Sequence, residues 1–183
     1  MAGNCFIYVI ANAYTTLTGT RIKPDARDKA VDSLPFPALF LKSIGTREKY
    51  DSTLLDHTIP ALLRGFSSGQ EKLIAERMDN EYSNFRKMTS LITSDSVVVF
   101  AFKGPTDNQG NLNHWLCAVA VEEDPRVVHT ACPAAFVNRS RTGTYVEVYH
   151  EGVGRYSNDS FSEQIKHPFV FWDTVFRIGW LNN

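Results

Sequence analysis

SVVVFAF, residues 96–102, is where the chain changes its period. Apolar residues before it recur in three- and four-residue steps. From it onward, short β-branched and aromatic runs alternate with turn residues. A seven-residue run of this composition is the kind found in a buried strand. Downstream, Trp115–Val121 reads as a second strand and residues 122–125 as a hairpin turn. Val127–Thr130 reads as a third strand, broken by Pro133. Thr144–Tyr149 alternates as a fourth, and Phe169–Trp180 offers one or two more. GPTDNQG, residues 104–110, is a turn or an exposed loop.

Upstream the pattern is helical. Residues 6–18, FIYVIANAYTTLT, are apolar on most faces and are followed by Gly19, a residue suited to ending a helix. The spacing predicts a buried helix starting near Cys5, with Asn4 as its N-cap. The β-branched Ile7, Val9 and Ile10 leave a strand as the alternative. Arg21–Tyr50 carries Pro24, Pro35, Pro37 and Gly45, and reads as loop with a short helix, a surface lid or arm. Leu54–Phe66 reads as a helix closed by Gly65, with Pro60 near a break. Gln70–Ile92 has the strongest helical spacing, through Leu73, Ile74, Arg77, Met78, Tyr82, Phe85, Met88 and Ile92. Helices followed by strands predict an α+β fold, N-terminal helices packed on a C-terminal antiparallel sheet. No repeat or linker divides residues 1–183, so one domain is expected.

Composition narrows the function. With 183 residues and 43% hydrophobic content the chain can bury a full core. Nineteen Lys+Arg against twenty Asp+Glu leave a net charge of −1, which argues against nucleic acid as the main ligand. No apolar run approaches the roughly 20 residues that span a bilayer, so no membrane insertion is expected. The first basic residue, Arg21, follows the N-terminal apolar stretch, a poor match to a signal peptide. A protein made in the cytoplasm is expected, with any export left to a dedicated secretion system or to lysis. Cys5, Cys117 and Cys132 lack CxxC spacing, and the five histidines are scattered singly. Neither pattern suggests a metal, and no cofactor motif is present: GVGR at 152–155 lacks the helix and lysine of a phosphate loop.

The sharpest feature is a pair, Cys5 opening the first helix and His114 opening a strand. A helix N-terminus favours thiolate over thiol through its dipole and its unpaired N–H groups. A neighbouring imidazole completes an ion pair and can protonate a leaving group. The plainer alternative is a small, buried, unreactive cysteine. Asp51, Asp56 and His57 form a weaker acid/base candidate, better read as a solvated helix face. Trp115, Trp172 and Trp180 suit a core better than a sugar-binding cleft. The basic and aromatic set Arg139, Arg141, Arg155, Tyr145, Tyr149 and Tyr156 is diluted by Glu147, Glu151 and Asp159.

GNCFIYVIANAYTTLTG resembles the nucleophile segment of papain-like cysteine hydrolases of the NlpC and CHAP type. SVVVFAFKGPTDNQGNLNHWLCAVAVEEDPRVVHTACP is similar to their sheet, with Asn113 before the histidine. The resemblance covers residues 3–20 and 96–133 and extends to the small bacterial amidases delivered by type VI secretion. It implies a papain-like fold with Cys5 as nucleophile and His114 as general base and acid. Those families orient the imidazole with a polar residue on the following strand. That strand here reads Val127-Val128-His129-Thr130-Ala131-Cys132, with no carboxylate. His129, Thr130, Cys132 or a backbone carbonyl takes the place. The second oxyanion donor falls to Asn4 or to a distant side chain. The function the resemblance implies is cleavage of an amide bond in bacterial peptidoglycan peptides, with a cognate immunity protein in the producer. A papain-like protease effector acting on a host protein and a catalytically inactive protein-binding module are the alternatives.

Overall fold

In the computed structural model of the chain the described residues are 3–34, 53–67, 72–83, 85–102, 114–121, 127–131, 155–157 and 174–181. They form an α+β arrangement of helices α1 (Gly3–Thr18), α2 (Pro24–Asp32) and α3 (Thr53–Phe66) on one face of a sheet. A 3-10 turn at Asn80–Ser83 and a short helix α4 (Phe85–Thr89) follow the first strand. The strands are β1 (Leu73–Arg77), β2 (Ser96–Phe102), β3 (His114–Val121), β4 (Val127–Ala131), β5 (Arg155–Ser157) and β6 (Phe176–Trp180). They lie in the order β1-β6-β2-β3-β4-β5, every pair antiparallel.

β2 explains why SVVVFAF is apolar throughout. Val97, Val99 and Ala101 face the helical layer, while Val98 and Phe100 join Leu116, Ala118, Val175 and Met88 on the opposite face. A strand covered on both sides cannot alternate. The last strand, β6, is inserted between β1 and β2, with Ile178 opposite Ala75 on one side and Val97 on the other. Its pairing with β2 runs to Val99↔Phe176. Beyond that point the Thr174 hydroxyl takes over: Ala101 N–H donates to Thr174 Oγ1 at 2.9 Å.

α1 is a helix despite its β-branched residues because burial outweighs propensity. Phe6, Val9, Ile10, Ala13 and Tyr14 are buried against the sheet or α3. Each fully buried large apolar side chain contributes about 1.5–3 kcal/mol, against well under about 1 kcal/mol for a poor helix former. Gly19 at φ +69° ends the helix, its N–H donating to Thr15 O at 2.9 Å. Asn4 lies inside the helix, which begins at Gly3, and so is not the N-cap expected from the sequence.

Three further expectations are corrected. Residues 70–92 are not one helix: β1, the 3-10 turn and α4 occupy them. Leu73, Ala75 and Arg77 also alternate, and five register positions against β6 hold them extended. Met78, Tyr82, Met88, Leu91 and Ile92 still reach the second core cluster, so helical spacing did not require a helix. The short helix expected within 21–50 is α2, which buries Ala30 and is followed by buried Leu34; residues 35–50 lie outside the described residues. Pro60 sits inside a continuous α3, which Gly65 does not close. Gly65 instead admits α2: a Cβ there would stand 2.7 Å from Ala30 Cβ. The loop expected at 104–110, the turn at 122–125 and the strand at 144–149 lie outside the described residues.

Candidate active site

Cys5 falls in the first turn of α1, so its N–H is among the first four that have no carbonyl one turn back. Helical stepping places position 5 on the face shared with Val9 and Ala13, both fully buried toward the core. Phe6, the next residue, meets Trp115 edge to face, ring centroids 4.7 Å apart and planes at 71°. Trp115 follows His114, the first residue of β3, which stands opposite Phe102 at the end of β2. The backbone at the start of α1 and the backbone at the start of β3 are therefore neighbours. The side chains of Cys5 and His114 lie outside the described residues.

The alternation of β3 adds a constraint. Trp115, Cys117 and Val119 belong to the cluster beneath α1, whereas Leu116 and Ala118 belong to the cluster on the other face. Position 114 falls in the alternate set of Leu116 and Ala118, at the strand's end.

The expected orienting groups are separated by register. His129 stands opposite Ala120, six positions along β3 from His114. At about 3.3 Å per residue that is roughly 20 Å, beyond the span of two side chains sharing a hydrogen bond. The register therefore sets His129 far from His114, and Thr130, opposite Ala118, stands four positions or roughly 13 Å away. Ala131 is opposite Cys117, three positions from His114; Cys132 lies outside the described residues.

Cys117 is a free thiol, fully buried, and burial pushes its pKa well above the ordinary thiol range. A buried thiol of this kind is a poor nucleophile. Asp56 accepts from Arg77 Nε at 2.9 Å, and the Arg77 guanidinium lies 4.8 Å over the Phe176 ring. His57 is exposed beside it, so this helix face carries an ion pair between α3 and β1; Asp51 lies outside the described residues. Trp180 is half-buried, and Trp172 lies outside the described residues. Among the described residues no group of His, Cys, Asp and Glu could hold a metal ion. No helix there is long and apolar enough to cross a membrane.

One feature of the site was not expected from sequence. Trp115 is 1% exposed, and its indole Nε1 has no hydrogen-bond acceptor among the described residues. The only sequence signal was its place directly after His114, since an indole carries a single N–H. No family model, curated protein or solved structure matches the chain.

Proposed function

We propose that this chain is a papain-like cysteine amidase that cleaves an amide bond in peptidoglycan peptides with Cys5 and His114. The observation that carries the reading is the Phe6–Trp115 contact, which sets the backbone at the start of α1 beside the backbone at the start of β3. In this mechanism the Cys5 thiolate, favoured by the start of α1, attacks the carbonyl carbon. His114 protonates the departing amine, and water then releases the acyl group. The dyad carries the bond chemistry; an orienting group for His114, with Cys132 the remaining side-chain candidate, raises the rate. A cognate immunity protein in the producing cell belongs to the same proposal.

The test is the rate of Cys5 alkylation by iodoacetamide against pH, in native protein and in His114→Ala. The reading expects reaction well below the midpoint of a free thiol (about 8.5), with that shift lost in the variant. Release of amines from purified peptidoglycan is the next assay, and a protein substrate replaces it if the reading is a protease effector. The second reading, an inactive protein-binding module, draws on the alternation that groups position 114 with Leu116 and Ala118. It expects Cys5 to stay silent until the chain is unfolded.

A further inference from the structure

The proposed reaction leaves one role unfilled. Acyl transfer to a thiol develops negative charge on the carbonyl oxygen, which needs preorganised donors. The Cys5 N–H is one, and the sequence leaves the second to Asn4 or to a distant side chain. Buried polar groups nearly always find partners, so a buried donor without one points to an acceptor that the described protein does not supply. Among the described side chains that are fully buried, the Trp115 indole N–H is in this state. It belongs to the face of β3 beneath α1, and its ring rests on Phe6, the neighbour of Cys5.

Resting on the amidase reading, we propose that Trp115 Nε1–H is the second oxyanion donor, received by the carbonyl oxygen of the amide or ester under attack. The Cys5 thiolate forms the C–S bond, and the C=O π pair moves onto oxygen, which accepts from Cys5 N–H and Trp115 Nε1–H. On collapse the π bond re-forms and the C–N bond breaks. Its electron pair leaves with the amine, which takes a proton from the His114 imidazolium, and a thioester remains.

The test compares two reagents on one thiol. Iodoacetamide alkylates by displacing iodide and forms no oxyanion; p-nitrophenyl acetate acylates through one. Both rates are measured in native protein and in Trp115→Phe, which keeps a ring against Phe6 and deletes the N–H, with Cys5→Ala as the background. The proposal expects acylation to fall about 100- to 1000-fold while alkylation and its pH profile stay unchanged. Two unchanged rates overturn it, and so does an equal fall in both, which would make Trp115 a support for the thiol alone. If native Cys5 is inert to both reagents, the amidase reading itself fails. Should Trp115→Phe not fold, native chain carrying 15N-tryptophan is titrated with propanal, whose thiohemiacetal bears the same oxygen. The Trp115 indole N–H resonance, assigned with Trp172→Phe and Trp180→Phe, then shifts with adduct formation; adduct without a shift overturns the proposal.

Discussion

Phe6 of the first helix and Trp115 of the third strand meet edge to face with centroids 4.7 Å apart, and both are fully buried. The contact fixes where the start of α1 stands on the sheet. Aromatic pairs of this geometry contribute about 0.5–1.5 kcal/mol beyond their area. Phe6→Ala is expected to cost about 3–5 kcal/mol, and Phe6→Leu little more than the aromatic share. Urea unfolding of the two variants checks this. A loss below about 1 kcal/mol for Phe6→Ala would mean that α1 does not rest on β3 at this point.

Gly65 is a second close approach. Ala normally stabilises a helix by about 1 kcal/mol over Gly. Here the added Cβ would meet Ala30 Cβ at 2.7 Å and Ala30 Cα at 3.1 Å, and neither can rotate away. Gly65→Ala is therefore expected to lower the melting temperature, with a net cost of about 1–2 kcal/mol from overpacking. Pairing it with Ala30→Gly should recover most of the loss. A rise in Tm for Gly65→Ala alone would place α2 farther from α3.

What the sequence disclosed divides along physical lines. β2 was legible to the residue because burial on both faces makes SVVVFAF apolar throughout. α1 and α3 were legible because their apolar stripes face a core that local spacing reports. β1 was not: its partner β6 lies about a hundred residues later, and no local pattern encodes that ladder. Pro60 misled for a related reason, since one missing N–H is outweighed by the burial of Leu55, Ile59, Leu62 and Leu63 around it. For the site, Cys5 and His114 stood out by their places at element starts. The distance of His129 depended on strand register, and the unpartnered Trp115 indole on packing, neither of which composition or spacing expresses.

Thr174 fastens β6 to β2 where backbone pairing stops. Its hydroxyl receives the Ala101 N–H at 2.9 Å and lies 3.4 Å from Ala101 O, both groups buried. Thr174→Val keeps the shape and strands the Ala101 N–H, at a cost of about 1–3 kcal/mol. Thr174→Ser retains the hydroxyl and is expected to lose less. Amide exchange at Ala101 gives the site-specific readout: protection should drop in Thr174→Val and persist in Thr174→Ser. Equal protection in both would show that the hydroxyl does not hold this amide.

Cys117 carries a pH signature distinct from that of Cys5. Burial raises its folded-state pKa above the unfolded value of about 8.5, because the thiolate would be charged in an apolar interior. Its neutral form is therefore the one compatible with folding. This contribution is fully present below about pH 8.5 and is lost as pH rises toward the folded pKa. The unfolded chain sheds the proton first, so stability falls by up to about 1.4 kcal/mol per pH unit in that window. Cys117→Ala removes this slope, at the cost of a small cavity, and the difference between variant and native unfolding free energies should narrow above about pH 9. The same burial protects the thiol from alkylation: peptide mapping after native treatment with iodoacetamide should find Cys117 unmodified at a pH where it reacts fully in urea. Modification of Cys117 in the native chain would mean that the face of β3 beneath α1 opens to solvent, and any reactivity then assigned to Cys5 would have to be measured in a Cys117→Ala background.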